Sequence, residues 1–253
     1  MTKIAVTGAT GRLGGPLVEI LEGEGHEVVP IARSKGVDVI TGEGLAEALD
    51  GVDAIVDAAT GPSPDEQEAT EFFTSSARNL QEAGVAGGVK RAVLVSIIGI
   101  DKFTTGYNAA KLAQEQAWLA GPIPTRIVRA AQFHEFVGQL LDWGRQGEVA
   151  YLPTMNTQVV AAQSVAEVLA ELATLPESAP ATGPTVEVAG PRAERLVELG
   201  RILVADRGES LRVEESTEFF SESEVYDSDA PLAGPDAKLA GPTFEEWLQS
   251  QPR

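Results

Sequence analysis

The sequence predicts an α/β fold, a doubly wound parallel sheet followed by a smaller C-terminal lobe. Three observations lead there. Strand-like and helix-like patterns alternate over the first 130 residues, which implies parallel strands joined by crossover helices on both faces. The inner runs Ala54-Ile-Val and Val93-Leu-Val are apolar throughout, as strands covered on both sides are. Residues 4–14, Ile-Ala-Val-Thr-Gly-Ala-Thr-Gly-Arg-Leu-Gly, run from an apolar strand through a glycine turn into an amphipathic helix.

Taken in order, strands are expected at 3–7, 27–32, 37–40, 52–58, 89–96 and 125–129. Helices are expected at about 13–22, 43–49, 66–83 and 108–119. Glycine and proline punctuate the units at 23–25, 51 and 121–124. Beyond residue 130 the pattern loosens: helix 132–145, strand 158–161, helix 164–174, strand 185–189, helix 192–206 and a strand at 211–215. An irregular acidic stretch over 227–242 precedes a closing helix at 243–250. At 253 residues this reads as one domain, with residues 1–130 as a cofactor-binding core and 131–253 supplying a substrate lobe.

The net charge of −19 argues against nucleic acid and anionic membrane as partners, since both need a basic face. Much of the acidity lies between Glu209 and Asp229, where eight carboxylates accompany one arginine; a solvated loop explains it. There is no cysteine, so disulfides and thiolate metal sites are excluded, and no cluster of His, Asp and Glu has metal-ligand spacing. The opening Met-Thr-Lys-Ile-Ala-Val enters the first strand without a charged-then-apolar leader, and no apolar run is long enough for a membrane span. A cytoplasmic location is the expectation.

The glycine turn fits a dinucleotide. Gly8 permits the tight turn, Gly11 lets backbone approach the pyrophosphate, and Gly14 lets helix pack on strand; Thr10, Arg12 and Leu13 complete the loop. The helix beyond offers free N–H groups and its positive dipole end to the anion. An NAD site carries an acid at the end of the second strand, holding the ribose 2′-OH. Here that place reads Ile31-Ala-Arg33-Ser34-Lys35, two cations and a hydroxyl that suit a 2′-phosphate, so NADP is preferred to NAD. Asp38 is placed to meet the adenine edge or to cap a turn. Ala59 and Thr60 follow the fourth expected strand and should line the cleft.

Tyr107 and Lys111 stand four residues apart, on one face of one helix. The pair fits a proton donor and its tuner: a free phenol titrates near 10, and a nearby ammonium lowers that value while reaching the ribose hydroxyls. Ser96 ends a central strand eleven residues earlier and can hold a substrate oxygen beside the phenol. His134, just after the sixth strand, and Phe133 are candidate substrate contacts, while Phe136, Trp143, Tyr151 and Met155 fit a pocket wall or a core equally well. His26, in a turn, reads as structural.

With the glycine motif, the blocks Ser96-Ile-Ile-Gly-Ile, Tyr107–Lys111 and Ala131-Gln-Phe-His make the chain resemble the short-chain dehydrogenase/reductase superfamily, in its atypical, NmrA-like branch. The likeness covers most of residues 1–175 and Phe244-Glu-Glu-Trp247. It implies a Rossmann core, a bound NADP or NAD, and hydride transfer with Tyr107 as acid/base, Lys111 as tuner and ribose ligand, and Ser96 as orienter. An NADP-dependent oxidoreductase of a small carbonyl, enone or quinone-like substrate is the leading expectation. Its rivals are a redox sensor that binds the dinucleotide without turning it over and regulates a protein partner, and an epimerase or isomerase that retains its cofactor. Sensor members of the branch generally lack the tyrosine.

Overall fold

A computed structural model describes residues 1–176, 178–180, 183, 185–218 and 221–251. The chain forms two compact units. The first contains residues 1–96, 106–129 and 165–186, the second 97–105, 130–164 and 187–253. Residues 97–105 belong to the second unit and residues 165–186 to the first, so neither unit is one continuous stretch of chain.

The first unit holds β1 (Lys3–Thr7), α1 (Gly14–Gly23), β2 (Glu27–Ile31), α2 (Leu45–Ala48), β3 (Ala54–Asp57) and α3 (Glu66–Gly87). It continues with β4 (Arg91–Ile97), α4 (Gly106–Leu119) and β5 (Thr125–Ala130). The strand order is β5-β4-β3-β1-β2, and β2, β1, β3 and β4 pair in parallel. The order reverses at β1, so the crevice for a ligand lies beyond the carboxyl ends of β1 and β3, at Thr7 and Asp57. Pro30, which cannot donate to a ladder, sits in β2 at the sheet edge. The core joins Ala5, Ile31, Ile55, Leu80, Leu94 and Trp118, all fully buried. Local chemistry bounds α3: the Asp65 carboxylate accepts from Glu68 N–H at its start, and Gly88 takes a left-handed φ of 84° at its end.

Residues 37–40 do not form the expected strand. Asp38 Oδ1 accepts from the amides of Ile40 and Thr41, bending the chain, and Gly36, Gly42 and Gly44 all take positive φ around it. The carbonyls that a neighbouring strand would have met are taken by Asn79 Nδ2 instead, at Val39 and Ile40.

The second unit carries α5 (His134–Trp143), β6 (Arg145–Gln146), β7 (Val149–Pro153), β8 (Asn156–Thr157), the start of α6 (Ala162–Ala173) and most of β9 (Val186–Ala189). It is completed by β10 (Glu194–Arg195), α7 (Leu196–Asp206), β11 (Arg212–Ser216), α8 (Ser223–Asp227), β12 (Lys238–Leu239) and α9 (Phe244–Ser250). β7 pairs antiparallel with β6 across a turn at Gly147 (φ 65°) and parallel with β11. The expected strand at 158–161 is a single bridge, Phe133 to Val160, with β8 just before it. The helix expected from 192 begins at 196, because Glu194 and Arg195 pair with β8. Among the described residues no helix is long and apolar enough to cross a membrane.

The glycine turn sets a test of packing. A Cβ on Gly14 would lie 2.2 Å from the Gly8 carbonyl oxygen, whereas one on Gly15 would meet nothing within 4 Å. Gly14→Ala should lose roughly 2–4 kcal/mol of stability in urea unfolding, and Gly15→Ala should hold or gain about 0.5–1 kcal/mol.

Candidate functional site

β1 delivers the chain to the glycine turn at the switch point. Gly8 takes φ 64°, and a Cβ there would lie 2.7 Å from the Ala58 carbonyl oxygen and 3.0 Å from Ala59 Cα. Gly11 is exposed and donates its N–H to the Gly8 carbonyl at 2.8 Å. Gly8 and Gly14 are thus places where backbone approaches too closely for a Cβ, Gly14 against the Gly8 carbonyl, while Gly11 is open to solvent. The first turn of α1 has no side-chain cap: Leu13 stands in the capping position, Gly15 N–H donates to the Gly11 carbonyl at 2.9 Å, and Pro16 carries no N–H. Thr10 and Arg12 are exposed and Ala59 is half-buried beside the turn, with Thr60 exposed. The cradle thus fits a pyrophosphate: bare backbone, an uncapped helix start, and no Cβ where a ligand must approach.

Arg33, Ser34 and Lys35 form one exposed 3-10 turn straight after β2, closed by Gly36 at φ 79°. Neither cation makes an ion pair among the described residues, although the chain is strongly acidic. Asp38, by contrast, spends its carboxylate on the Ile40 and Thr41 amides; of the two duties expected, it performs the turn cap.

α4 presents Tyr107 and Lys111 on one face, but they are not hydrogen-bonded to each other. Tyr107 is half-buried with its ring edge-on to Phe73, centroids 5.7 Å apart. Burial pushes its phenol up to about 12, the opposite direction from the expected lowering. Lys111 turns inward instead. Its ammonium donates to the Val95 carbonyl at 2.8 Å and to Gln114 Oε1, and lies 4.7 Å from the Phe73 ring centre. Desolvation pulls its pKa down to about 8, against the opposing pull of the Asp57 and Glu115 carboxylates. Ser96, one residue before the end of β4, is 2% exposed, and its hydroxyl has no partner. A buried hydroxyl left unsatisfied is costly, and a ligand oxygen would satisfy it.

Four residues that the motifs did not single out complete this unit's site. Thr7 Oγ donates to Asp57 Oδ1 at 2.6 Å and accepts from the amides of Ala58 and Ala59, both at 3.1 Å. Asp57 Oδ2 accepts from Gln114 Nε2 at 2.9 Å and from Trp118 Nε1 at 2.8 Å. A signal was present: a carboxylate closing the apolar strand Ala-Ile-Val-Asp must find partners inside. Gln114 and Trp118 stand three and seven residues after Lys111, on the same helical face.

The residues matched by a family model described as NAD(P)H-binding run from 8 to 176. The chain belongs to that NAD(P)H-binding family, within the atypical, NmrA-like short-chain dehydrogenase/reductases. It is 34% identical over 129 residues to the L-arabinose 1-dehydrogenase (NAD(P)(+)) of Haloferax volcanii, covering 47% of this chain and 49% of that protein. It is 28% identical over 183 residues to the photosystem II assembly factor Ycf39 of a Synechocystis species, covering 63% and 56%. The chain spans about half the length of these curated relatives. In structure it is similar to MoeE5 in complex with UDP-glucose and NAD (TM-score 0.71, 18% identity, 98% and 97% covered). It is also similar to the dTDP-4-dehydrorhamnose reductase of Bacillus anthracis str. Ames in complex with NADP (TM-score 0.69, 19% identity, 98% of each chain). Both likenesses show the Rossmann-like α/β fold.

In this family member the second unit treats its own candidates differently. Phe133 is half-buried at the start of α5. His134 is 1% exposed, and its Nε2 faces the Pro242 carbonyl at 3.2 Å. Its ring packs on Phe244 and Trp247 at 5.5 and 5.3 Å. The substrate contact expected of His134 is therefore corrected: the ring is enclosed by α9. Among the described residues no metal-binding group of three or more His, Asp or Glu occurs.

Burial holds the His134 pKa down at about 4, below its unfolded value of 6.5. The neutral ring contributes stability that is fully present above pH 6.5 and is lost as pH falls towards 4. Urea unfolding should show a decline of up to roughly 3 kcal/mol across that window. His134→Gln should flatten this part of the pH profile.

Proposed function

We propose that the chain is an NADP(H)-dependent oxidoreductase acting on a small carbonyl, enone or quinone-like substrate. The observation that carries the reading is the glycine cradle at the switch point beside the unneutralised cations of the turn after β2. Gly8, Thr10, Gly11, Arg12, Leu13 and Gly14 would hold the pyrophosphate, with Ala59 and Thr60 along the cleft. Arg33, Ser34 and Lys35 would take the 2′-phosphate, Arg33 through its planar fork. The bound cofactor supplies or accepts the hydride. Lys111 uses two of its three ammonium donors within the protein, on Val95 and Gln114, which leaves one for a ribose hydroxyl. Ser96 offers its unpartnered hydroxyl to the substrate oxygen. Tyr107, kept protonated by burial, is suited to give its proton to that oxygen as charge develops on it.

The arabinose dehydrogenase likeness supports the oxidoreductase class, and a small polyol or its carbonyl form is a fair first substrate. The second reading, a dinucleotide-binding sensor with a protein partner, is favoured by the likeness to an assembly factor and by the absence of a Tyr107–Lys111 hydrogen bond.

Calorimetric titration with NADPH and NADH, beside a panel of carbonyls, quinones and sugars, separates the readings. Arg33→Ala should weaken NADPH binding about tenfold or more and leave NADH binding within about threefold. Tyr107→Phe should lower turnover at least 100-fold while NADPH affinity changes little; unaltered turnover would remove the catalytic assignment. Reduction should hold steady at neutral pH and fall as pH rises through about 8, where Lys111 loses its proton. The phenol, with its pKa near 12, should add no limb below that.

A further inference from the structure

We propose that Asp57 is a positioning residue that ties Lys111 to the floor of the glycine turn, so that the two ends of the cofactor site are held by one carboxylate. The geometry is a continuous hydrogen-bonded chain across three elements. At one end the Ala58 and Ala59 amides rest on Thr7 Oγ, and this is the backbone that a Cβ on Gly8 would strike. Thr7 and Asp57 are register partners at the carboxyl ends of β1 and β3, and the hydroxyl donates to Asp57 Oδ1. At the other end Gln114 donates to Asp57 Oδ2 and turns its amide oxygen to the Lys111 ammonium. Trp118, fully buried, donates to the same Oδ2 and fixes the carboxylate from the core side.

Burial makes the chain directional. Thr7, Asp57, Gln114 and Trp118 are each no more than 1% exposed and Lys111 is 6% exposed, so water has little access to replace a lost bond. Both oxygens of Asp57 accept; the Thr7 hydroxyl, its lone pairs taken by the Ala58 and Ala59 amides, has only its proton to give, and Gln114 Nε2 and Trp118 Nε1 are donors, which fixes the orientation of the Gln114 amide and hence its oxygen towards Lys111. An asparagine at 57 could not reproduce this, since its NH₂ would meet a donor. The charged groups around Lys111 are Asp57 from β3 and Glu115 from its own helix. Arg129 of β5 holds Glu115 at 2.8 Å, and the neutral Tyr107 and Phe73 close the remaining side. Asp57 is thus the acidic group that reaches Lys111 from outside α4.

The cofactor arm of the test rests on the proposed function; the lysine arm does not. The chain has six lysines, so 13Cε-lysine NMR of the intact free protein, assigned with Lys111→Met, reads the Lys111 titration directly. Asp57→Asn should lower the Lys111 midpoint by about one unit and weaken NADPH binding about tenfold. Gln114→Met should lower the midpoint without changing the glycine turn, seen as unaltered Gly8 and Ala59 amide shifts. Thr7→Val should move those amide shifts and weaken NADPH while leaving the Lys111 midpoint at its wild-type value. A Lys111 midpoint untouched by Asp57→Asn and Gln114→Met overturns the proposal, as does a Thr7→Val midpoint shift equal to that of Asp57→Asn. Should Asp57→Asn fail to fold, the other two variants decide alone. A chain that bound no NADPH would overturn the functional reading, while the tie would still stand or fall on the titration.

Discussion

The hydrogen bond from Thr7 to Asp57 joins the ends of β1 and β3 at the point where the strand order reverses. A carboxylate taken out of water at the end of an apolar strand must be matched by donors, and here three side chains supply them, Thr7, Gln114 and Trp118. That requirement brings Gln114 and Trp118 of α4 to β3 and aligns the loop after β3 under the glycine turn. The helix carrying Tyr107 and Lys111 is thereby registered against the sheet by polar matching as well as by packing. Apolar contacts of α3 with α4, through Ala69, Phe73 and Ala110, fix the distance but leave rotation and sliding cheap. Directional bonds to one buried carboxylate remove that freedom.

The doubly wound core was legible because its signals are local. β1, β3 and β4 are largely apolar runs of strand length, and glycines stand where left-handed φ or close approach forbids a side chain. The turn at 37–40 was misread as a strand because Val-Asp-Val-Ile alternates in the right way, while the Asx turn and the Asn79 contacts that hold it are tertiary facts. Beyond residue 130 the strands are two to five residues long and pair with distant partners, so β6, β8, β10 and β12 leave almost no periodic trace. The hairpin that joins β6 to β7 around Gly147 is also missing from the expected elements, although a two-residue turn ahead of Val-Ala-Tyr-Leu carries a local signal.

Of the candidate site, the residues that contact a ligand through backbone or through exposed charge were legible from type and spacing. The ones that act through other residues were not. Gln114 and Trp118 look like any amphipathic helix positions until Asp57 is placed beside them. His134 was misassigned for the converse reason: its position after a sheet strand suggests a cleft, but nothing local reveals that Phe244 and Trp247, more than a hundred residues on, enclose it.

The protonation pattern of the free chain bears on the direction of chemistry. A Tyr–Lys pair works as a base only if the phenolate is affordable near neutrality, and that needs a cation close enough to offset desolvation. Here the cation is engaged elsewhere, with Lys111 drawn towards Gln114 and Val95, and burial acts on Tyr107 unopposed. At pH 7 Lys111, with a pKa near 8, is still about nine-tenths protonated, so the ammonium is present but turned inward. The free chain thus holds Tyr107 as the neutral phenol. For it to act as a base, the ammonium would have to swing towards the phenol, and that means breaking its bond to Gln114. The buried chain from Asp57 through Gln114 opposes that movement, because Gln114 Nε2 is already committed to the carboxylate and its oxygen to the ammonium.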